Sequence, residues 1–195
     1  MSEQLTKIMT GRVRASYANV FEPRAQKAGD EPKYSIALLI DKSDKATLKA
    51  IDGAINAAIA EGTAKKWGGK QPAKLKLPLR DGDEEQPGDE NYTGKMFLNA
   101  RSPQDRKPGI VGTTKGGDGK LLPIVDPEEF YSGCYCRATI TFYAYESNGS
   151  KGVAVGLNNI QKLADGPRLS GGASAEEDFS DMEIEDDDDD LTGGV

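Results

Sequence analysis

The chain has no histidine, so the usual general base near neutral pH and the commonest metal ligand are both missing. Carboxylate chemistry stays open, but the range of enzyme mechanisms narrows. Cysteine is almost absent as well. The 2 cysteines, Cys134 and Cys136, stand two positions apart on what reads as a strand, and neighbours at that spacing rarely close a disulfide. A zinc site would need further ligands that the composition does not supply, so no metal or other cofactor is expected. Both thiols read as small buried apolar groups of a reducing compartment. No stretch approaches the ~20 apolar residues of a membrane-spanning helix, and Met1 to Lys7 lacks the apolar run of a secretion signal. A membrane is therefore not an expected partner. Hydrophobic residues make up only 36% of the 195, below the usual globular share, so part of the chain is expected to lie outside any core.

Charge is abundant and unevenly placed. Of 32 acidic residues, eleven fall between Glu176 and Val195, where there is no Lys or Arg. The rest of the chain sets 25 basic residues against the remaining 21 acidic ones, a net of +4 against −11 for the tail. A pI of 4.8 thus hides a mildly basic body with an acidic appendage, an asymmetry that points toward nucleic acid.

Along the chain, Thr10–Phe21 reads as a strand with Val13, Ala15 and Tyr17 inward and Arg12, Arg14 and Ser16 outward. A turn rich in Pro, Gly and charge leads to a second strand, Lys33–Ile40, with Tyr34, Ile36, Leu38 and Ile40 on one side. The period then becomes helical. Ser43 reads as the N-cap, Leu48, Ile51, Ile55, Ala58 and Ile59 form the buried stripe, and Gly62 reads as the stop. Residues 63–94 look irregular, with Leu75, Leu77 and Leu79 read as core. Lys95–Arg101 alternates again, with Met96, Leu98 and Ala100 opposite Phe97, Asn99 and Arg101. Ser102–Gly119 reads as a polar loop carrying Arg106 and Lys107. Asp126-Pro127-Glu128-Glu129 has the form of a helix start, and Ser132-Gly133 keeps that helix short. A long strand, Cys134–Tyr145, meets its partner Val153–Leu157 through a turn at Asn148-Gly149.

The long strand is the most informative segment. One face is wholly apolar: Cys134, Cys136, Ala138, Ile140, Phe142 and Ala144. The other shows Tyr135, Arg137, Thr139, Thr141, Tyr143 and Tyr145. Bases stack on flat aromatic rings while cations and hydroxyls hold phosphates, so this face suits a single-strand platform. Ordinary strand propensity of Tyr and Thr is the competing explanation. Phe97 with Arg101, and Arg12 with Arg14, repeat the theme on other strands. The candidate nucleic-acid contacts are therefore Arg12, Arg14, Phe97, Arg101, Arg106, Lys107, Tyr135, Arg137, Tyr143 and Tyr145.

Two other readings compete. The carboxylates from Asp81 to Glu90 could hold a metal for a nuclease, although they lack the spacing and terminal glutamate of a calcium loop. Alternatively, the chain could be an interaction protein working through its tail, with the barrel as scaffold. Gly116-Gly117-Asp118-Gly119 is no phosphate loop, since no Gly-Lys-Ser/Thr follows it.

Several blocks carry a resemblance: Ser16-Tyr17-Ala18-Asn19-Val20-Phe21-Glu22-Pro23, Leu75-Lys76-Leu77-Pro78-Leu79-Arg80-Asp81-Gly82-Asp83, Phe97-Leu98-Asn99-Ala100, Tyr131-Ser132-Gly133-Cys134-Tyr135 and Gly156-Leu157-Asn158-Asn159-Ile160-Gln161-Lys162. From about Lys7 to Leu163 the chain resembles a family of tailed-phage and prophage single-stranded DNA-binding proteins with an OB fold. The resemblance implies a replication or recombination role in the cytoplasm of an infected bacterium.

The expected architecture is mainly β: an OB-like, five-stranded, partly open antiparallel barrel with one long and one short helix over residues 1–164. A disordered acidic tail is expected over 165–195, since it has little to bury. Its Asp186, Asp187, Asp188, Asp189 and Asp190 are the candidate contacts to phage or host replication and recombination proteins. The expected function is non-enzymatic, sequence-tolerant coating of single-stranded DNA.

Overall fold

The computed structural model describes residues 3–169. In chain order its elements are α1 (Glu3–Thr6), β1 (Lys7–Met9), β2 (Val13–Arg24), β3 (Lys33–Asp41), α2 (Lys45–Lys65), β4 (Arg80–Asp81), α3 (Gly82–Glu85), β5 (Lys95–Pro103), β6 (Gly109–Lys115), β7 (Leu121–Pro123), β8 (Tyr135–Ser147) and β9 (Ser150–Ala164). Five strands close on themselves: β2 pairs with β3, β3 with β5, β5 with β9, β9 with β8, and β8 returns to β2. All these pairings are antiparallel except β5–β9, a thin parallel seam at Arg101↔Gly156. A five-stranded ring that is weakly joined at one seam is the partly open barrel of an OB fold. The remaining strands extend it, β1 on β8, β4 on β5, and β6 with β7 beyond β9.

Alternation fills the barrel. Val13 and Ala15 enter from β2, Ile36, Leu38 and Ile40 from β3, and Leu98 and Ala100 from β5, all within 2% of complete burial. The apolar face of β8 supplies Cys136, Ala138, Ile140 and Phe142, with Cys134 just ahead of the strand, as the sequence pattern indicates. Burial pushes the Cys136 thiol up to about 12, which leaves it inert at neutral pH. The turn between β8 and β9 places Asn148 (φ 50°) and Gly149 (φ 77°) in the left-handed region, as a two-residue hairpin of the primed type requires.

Helix α2 lays Ile51, Ala54, Ile55 and Ala58 into the same core. Each fully buried isoleucine contributes roughly 1.5–3 kcal/mol. The cap is Asp44, whose carboxylate accepts from Thr47 N at 3.1 Å, one residue later than Ser43. Gly62 does not stop the helix, which continues to Lys65. Its role is close approach, because a Cβ there would stand 2.4 Å from Ala144 Cβ and 3.0 Å from the Trp67 ring.

Other expectations need correction. The supposed loop 102–119 contains β6, which lay hidden because it is glycine- and threonine-rich and buries only Ile110. The Asp126 segment forms a turn instead of a helix. Its carboxylate accepts from Glu128 N at 2.9 Å, but Phe130 must be buried at once, leaving no length over which a helix could propagate. Hydrogen bonds also reach residues past 164, where the tail was expected to begin. Tyr131 Oη donates to Gly166 O at 3.0 Å, Arg14 Nη2 to Pro167 O at 2.8 Å, and Leu169 N to Ser132 O at 3.0 Å. The acidic run Asp186–Asp190 lies outside the described residues. No helix among the described residues is long and apolar enough to cross a membrane.

Candidate nucleic-acid interface

Strand register decides which side chains meet on the outer surface of the barrel. Between Ser16↔Ala37 and Asn19↔Ser35 strand β2 holds one residue more than β3, a bulge. Tyr17 sits in it with φ 44° and is 64% exposed, while Val20 takes up the inward row. Strict alternation would have buried Tyr17; the bulge turns it out. A non-glycine residue in this backbone region is a strained feature that tends to accompany functional sites.

Pairing then sets short side chains in rows across β2, β3 and β5. Ser16, Ala37 and Asn99 form one row, and Asn19 and Ser35 begin the next, which the long Arg101 side chain closes. This low floor is bounded by taller groups. On one side the segment Lys76–Arg80 is stitched to β9, with Lys76 N donating to Lys151 O at 3.0 Å and Val153 N to Lys76 O at 3.0 Å. Gly152 permits this, since a Cβ would lie 2.3 Å from Lys76 O. Leu77 is therefore part of an exposed wall, half open to solvent, and not the core residue expected; Leu79 does pack inward. The β8–β9 hairpin contributes Tyr143 and Tyr145.

The result is a cleft of about 870 Å³ lined by Lys33, Arg80, Asn99, Arg101, Tyr143 and Tyr145 among others. Past Arg80 and Asn99 it runs into a second hollow of about 400 Å³ with Tyr17, Asn19 and Arg24. Among the described residues, Arg24, Lys33 and Arg101 form no ion pair, so their charge is available to a ligand. The two hollows together run over β5, the third strand of the ring, from the β8–β9 hairpin on one side to β3, the second strand, and the β2–β3 loop on the other. OB barrels bind oligonucleotides across these strands and loops.

Of the residues singled out by sequence, Arg101, Tyr143 and Tyr145 come together in this cleft. Phe97 does not present a free ring. It is 3% exposed, packed edge-on against Tyr92 with centroids 5.1 Å apart, and covered by the Arg80 guanidinium at 5.0 Å. Alternation placed Phe97 outward correctly, but β4 and the 86–94 loop cover that part of the sheet. Arg12, Arg14 and Tyr135 form a separate cluster, with the two guanidinium carbons 4.3 Å and 5.6 Å from the ring centroid. Arg14 also holds the chain at Gly133 O and Pro167 O. Arg137 donates to Gln161 at 2.6 Å at the far end of β8. Arg106 is exposed in the turn after β5, and Lys107 lies 5.8 Å from the Phe21 ring.

The sequence reading missed Tyr17, Arg24, Lys33 and Arg80. A signal for Tyr17 was present: Val13 and Ala15 share one parity with Tyr17, whereas Val20 has the other, so a phase change had to fall between them.

The acidic loop is a brace. Lys42 Nζ lies 2.7 Å from Asp81 Oδ1 and 2.6 Å from Asp83 Oδ2, and Asp83 also accepts from Gly94 N at 3.0 Å. Hydrogen bonds from Lys42 hold both carboxyls below the usual aspartate range and raise the lysine. Glu85 pairs with Arg80. Among the described residues no group of three Asp, Glu or Cys side chains is placed to hold a metal ion.

With this geometry in view, the comparisons decide the family. A family model described as the Enterobacter phage Enc34 single-stranded DNA-binding protein matches residues 6–191. The chain belongs to that family. A curated relative, putative protein p50 of Acyrthosiphon pisum secondary endosymbiont phage 1, is 31% identical over 91% of this chain and 95% of its own length. Among solved structures, the single-stranded DNA-binding protein of bacteriophage Enc34 in complex with single-stranded DNA superposes with a TM-score of 0.72. It is 27% identical over 85% of this chain and 90% of that one. The bacteriophage T7 single-stranded DNA-binding protein gp2.5 shares the fold alone, with a TM-score of 0.52 and 16% identity over 86% of this chain and 97% of that one.

Proposed function

We propose that the chain is a non-enzymatic, sequence-tolerant single-stranded DNA-binding protein that acts in phage replication or recombination within the host cytoplasm. The strand lies in the cleft over β3 and β5. Tyr143 and Tyr145 at one end and Tyr17 at the other offer rings to bases, while Arg24, Lys33 and Arg101 neutralise phosphates. One observation carries this reading: tyrosines and unpaired cations from distant parts of the sequence meet in one cleft, at the place where OB barrels bind single strands. Family membership agrees with it, and the Enc34 relative was solved with single-stranded DNA. A nuclease reading has no comparable support, because Asp81 and Asp83 are engaged by Lys42.

The acidic tail, with its eleven carboxylates, is the proposed contact for basic surfaces of phage or host replication and recombination proteins. Tethered to a body of net +4, it also competes with DNA for the cleft as a weak polyanion. The deciding experiment titrates the full chain against single-stranded and duplex oligonucleotides of equal length, with magnesium present. Saturable binding that favours the single strand and leaves it uncut is expected. Equal affinity for duplex, or cleavage, would overturn the reading.

A further inference from the structure

Arg80 stands at the junction of the two halves of the cleft, lining both. Three features fix its position. Its backbone is held in β4, where it pairs opposite Phe97 of β5. The guanidinium lies over the Phe97 ring, with Cζ 5.0 Å from the centroid. Its Nη2 is taken by the carboxylate of Glu85, the last residue of the short helix α3. That helix is itself anchored. Asp81 caps it, Lys42 ties Asp81 to Asp83, and Gly82 lies so close to the Tyr92 and Lys95 carbonyls that a Cβ would meet them at 2.4 Å and 2.8 Å. The carboxylate run that could suggest a metal site is therefore a frame around one arginine.

A guanidinium has a plane with two faces and a fork of donors at its edge. Here the guanidinium carbon lies over the Phe97 ring and Glu85 engages Nη2. The residue lines both hollows, and its side chain is 43% exposed. We infer that Arg80 is a base-stacking platform: Phe97 supports the guanidinium from below, Glu85 holds it in place, and one base of the bound strand stacks on top. Arginine planes serve single-stranded nucleic acids in this way alongside aromatic rings. Phe97 then acts as a positioning residue through Arg80, without touching the nucleic acid itself. The competing role is a phosphate clamp, in which the fork releases Glu85 and takes a backbone oxygen.

This inference rests on the proposed binding function, and the test separates the two. Full-length protein, wild type and Arg80→Lys, is titrated with labelled oligothymidine and with an abasic oligomer of the same length. Lysine keeps the charge and loses the plane. The platform predicts that Arg80→Lys weakens oligothymidine binding roughly tenfold while abasic binding stays at the wild-type value. Phe97→Leu, checked for folding by thermal melting, should produce a similar selective loss, and combining it with Arg80→Lys should add little further. Equal affinities of Arg80→Lys and wild type for oligothymidine would overturn the platform in favour of a clamp, and so would parallel losses on both oligomers. Additive losses in the double variant would overturn the supporting role of Phe97. If wild-type protein binds neither oligomer, the underlying function fails instead.

Discussion

Neighbouring residues on β8 allow binding and folding to be separated. Phe142 is 1% exposed in the barrel core, facing Val155 across the ladder, whereas the next residue, Tyr143, is 49% exposed and lines the cleft. Replacing Phe142 with Ala removes a buried ring and leaves a cavity, a loss of about 3–5 kcal/mol. Against the ~5–15 kcal/mol stability of a typical domain this should lower the urea midpoint sharply. Replacing Tyr143 with Ala removes one stacking surface, roughly 1–3 kcal/mol of binding, or about a five- to 150-fold rise in Kd. Its exposed ring contributes little to the core, so the urea midpoint should barely move. Fluorescence anisotropy with labelled single strands reads the first quantity and chemical denaturation the second. The reasoning fails if Tyr143→Ala unfolds the protein while Phe142→Ala is harmless. It fails equally if a folded Tyr143→Ala binds as tightly as wild type.

Three further outcomes are expected. Arg101→Ala should flatten the slope of log K against log salt by about 0.7, and by the same amount for every base sequence tested; loss on only some sequences would indicate base-edge readout. Truncation after Ala175 should raise affinity for single strands, most strongly at low salt where screening is weakest, as measured by titration at two ionic strengths. Acid should loosen the Lys42–Asp81–Asp83 brace. The carboxyls of Asp81 and Asp83 are lowered when folded, so their contribution is complete above the ordinary aspartate value of 3.8 and fades as pH falls through the lowered values. The amide resonance of Gly94, which donates to Asp83, should shift in that acid range in wild type, and Lys42→Met should move the shift to higher pH.

Much of the barrel was legible because its strands alternate cleanly. Strand β8 shows both faces in sequence, and Asn148-Gly149 announces its hairpin. What was hidden depends on long-range register. The bulge at Tyr17 is a single extra residue that shows only when β2 is laid against β3. Strand β6 buries only Ile110 and so gives almost no apolar signal; its place is set by pairing with the distant β9. The helix-start pattern at Asp126 is genuine local chemistry overridden by the burial of Phe130. For the site, residue type was the easier part. Aromatics and cations on β5 and β8 pointed to a binding surface, and Arg101, Tyr143 and Tyr145 do share one cleft. Which other side chains join them depends on how the Lys76–Arg80 wall is stitched to Gly152, some seventy residues away in the chain. Nothing local to Arg24, Lys33 or Arg80 announces that placement. Phe97 shows the converse, an outward residue on its strand that another segment covers.

The central claim is that the strand runs in the cleft over β3 and β5, away from the Arg12–Arg14–Tyr135 cluster. Photo-crosslinking of the full chain to single strands carrying 5-iododeoxyuridine, followed by peptide mapping, tests it most directly. The account predicts adducts at Tyr17, Tyr143 and Tyr145; adducts concentrated at Tyr131 and Tyr135, with the cleft tyrosines untouched, would contradict it.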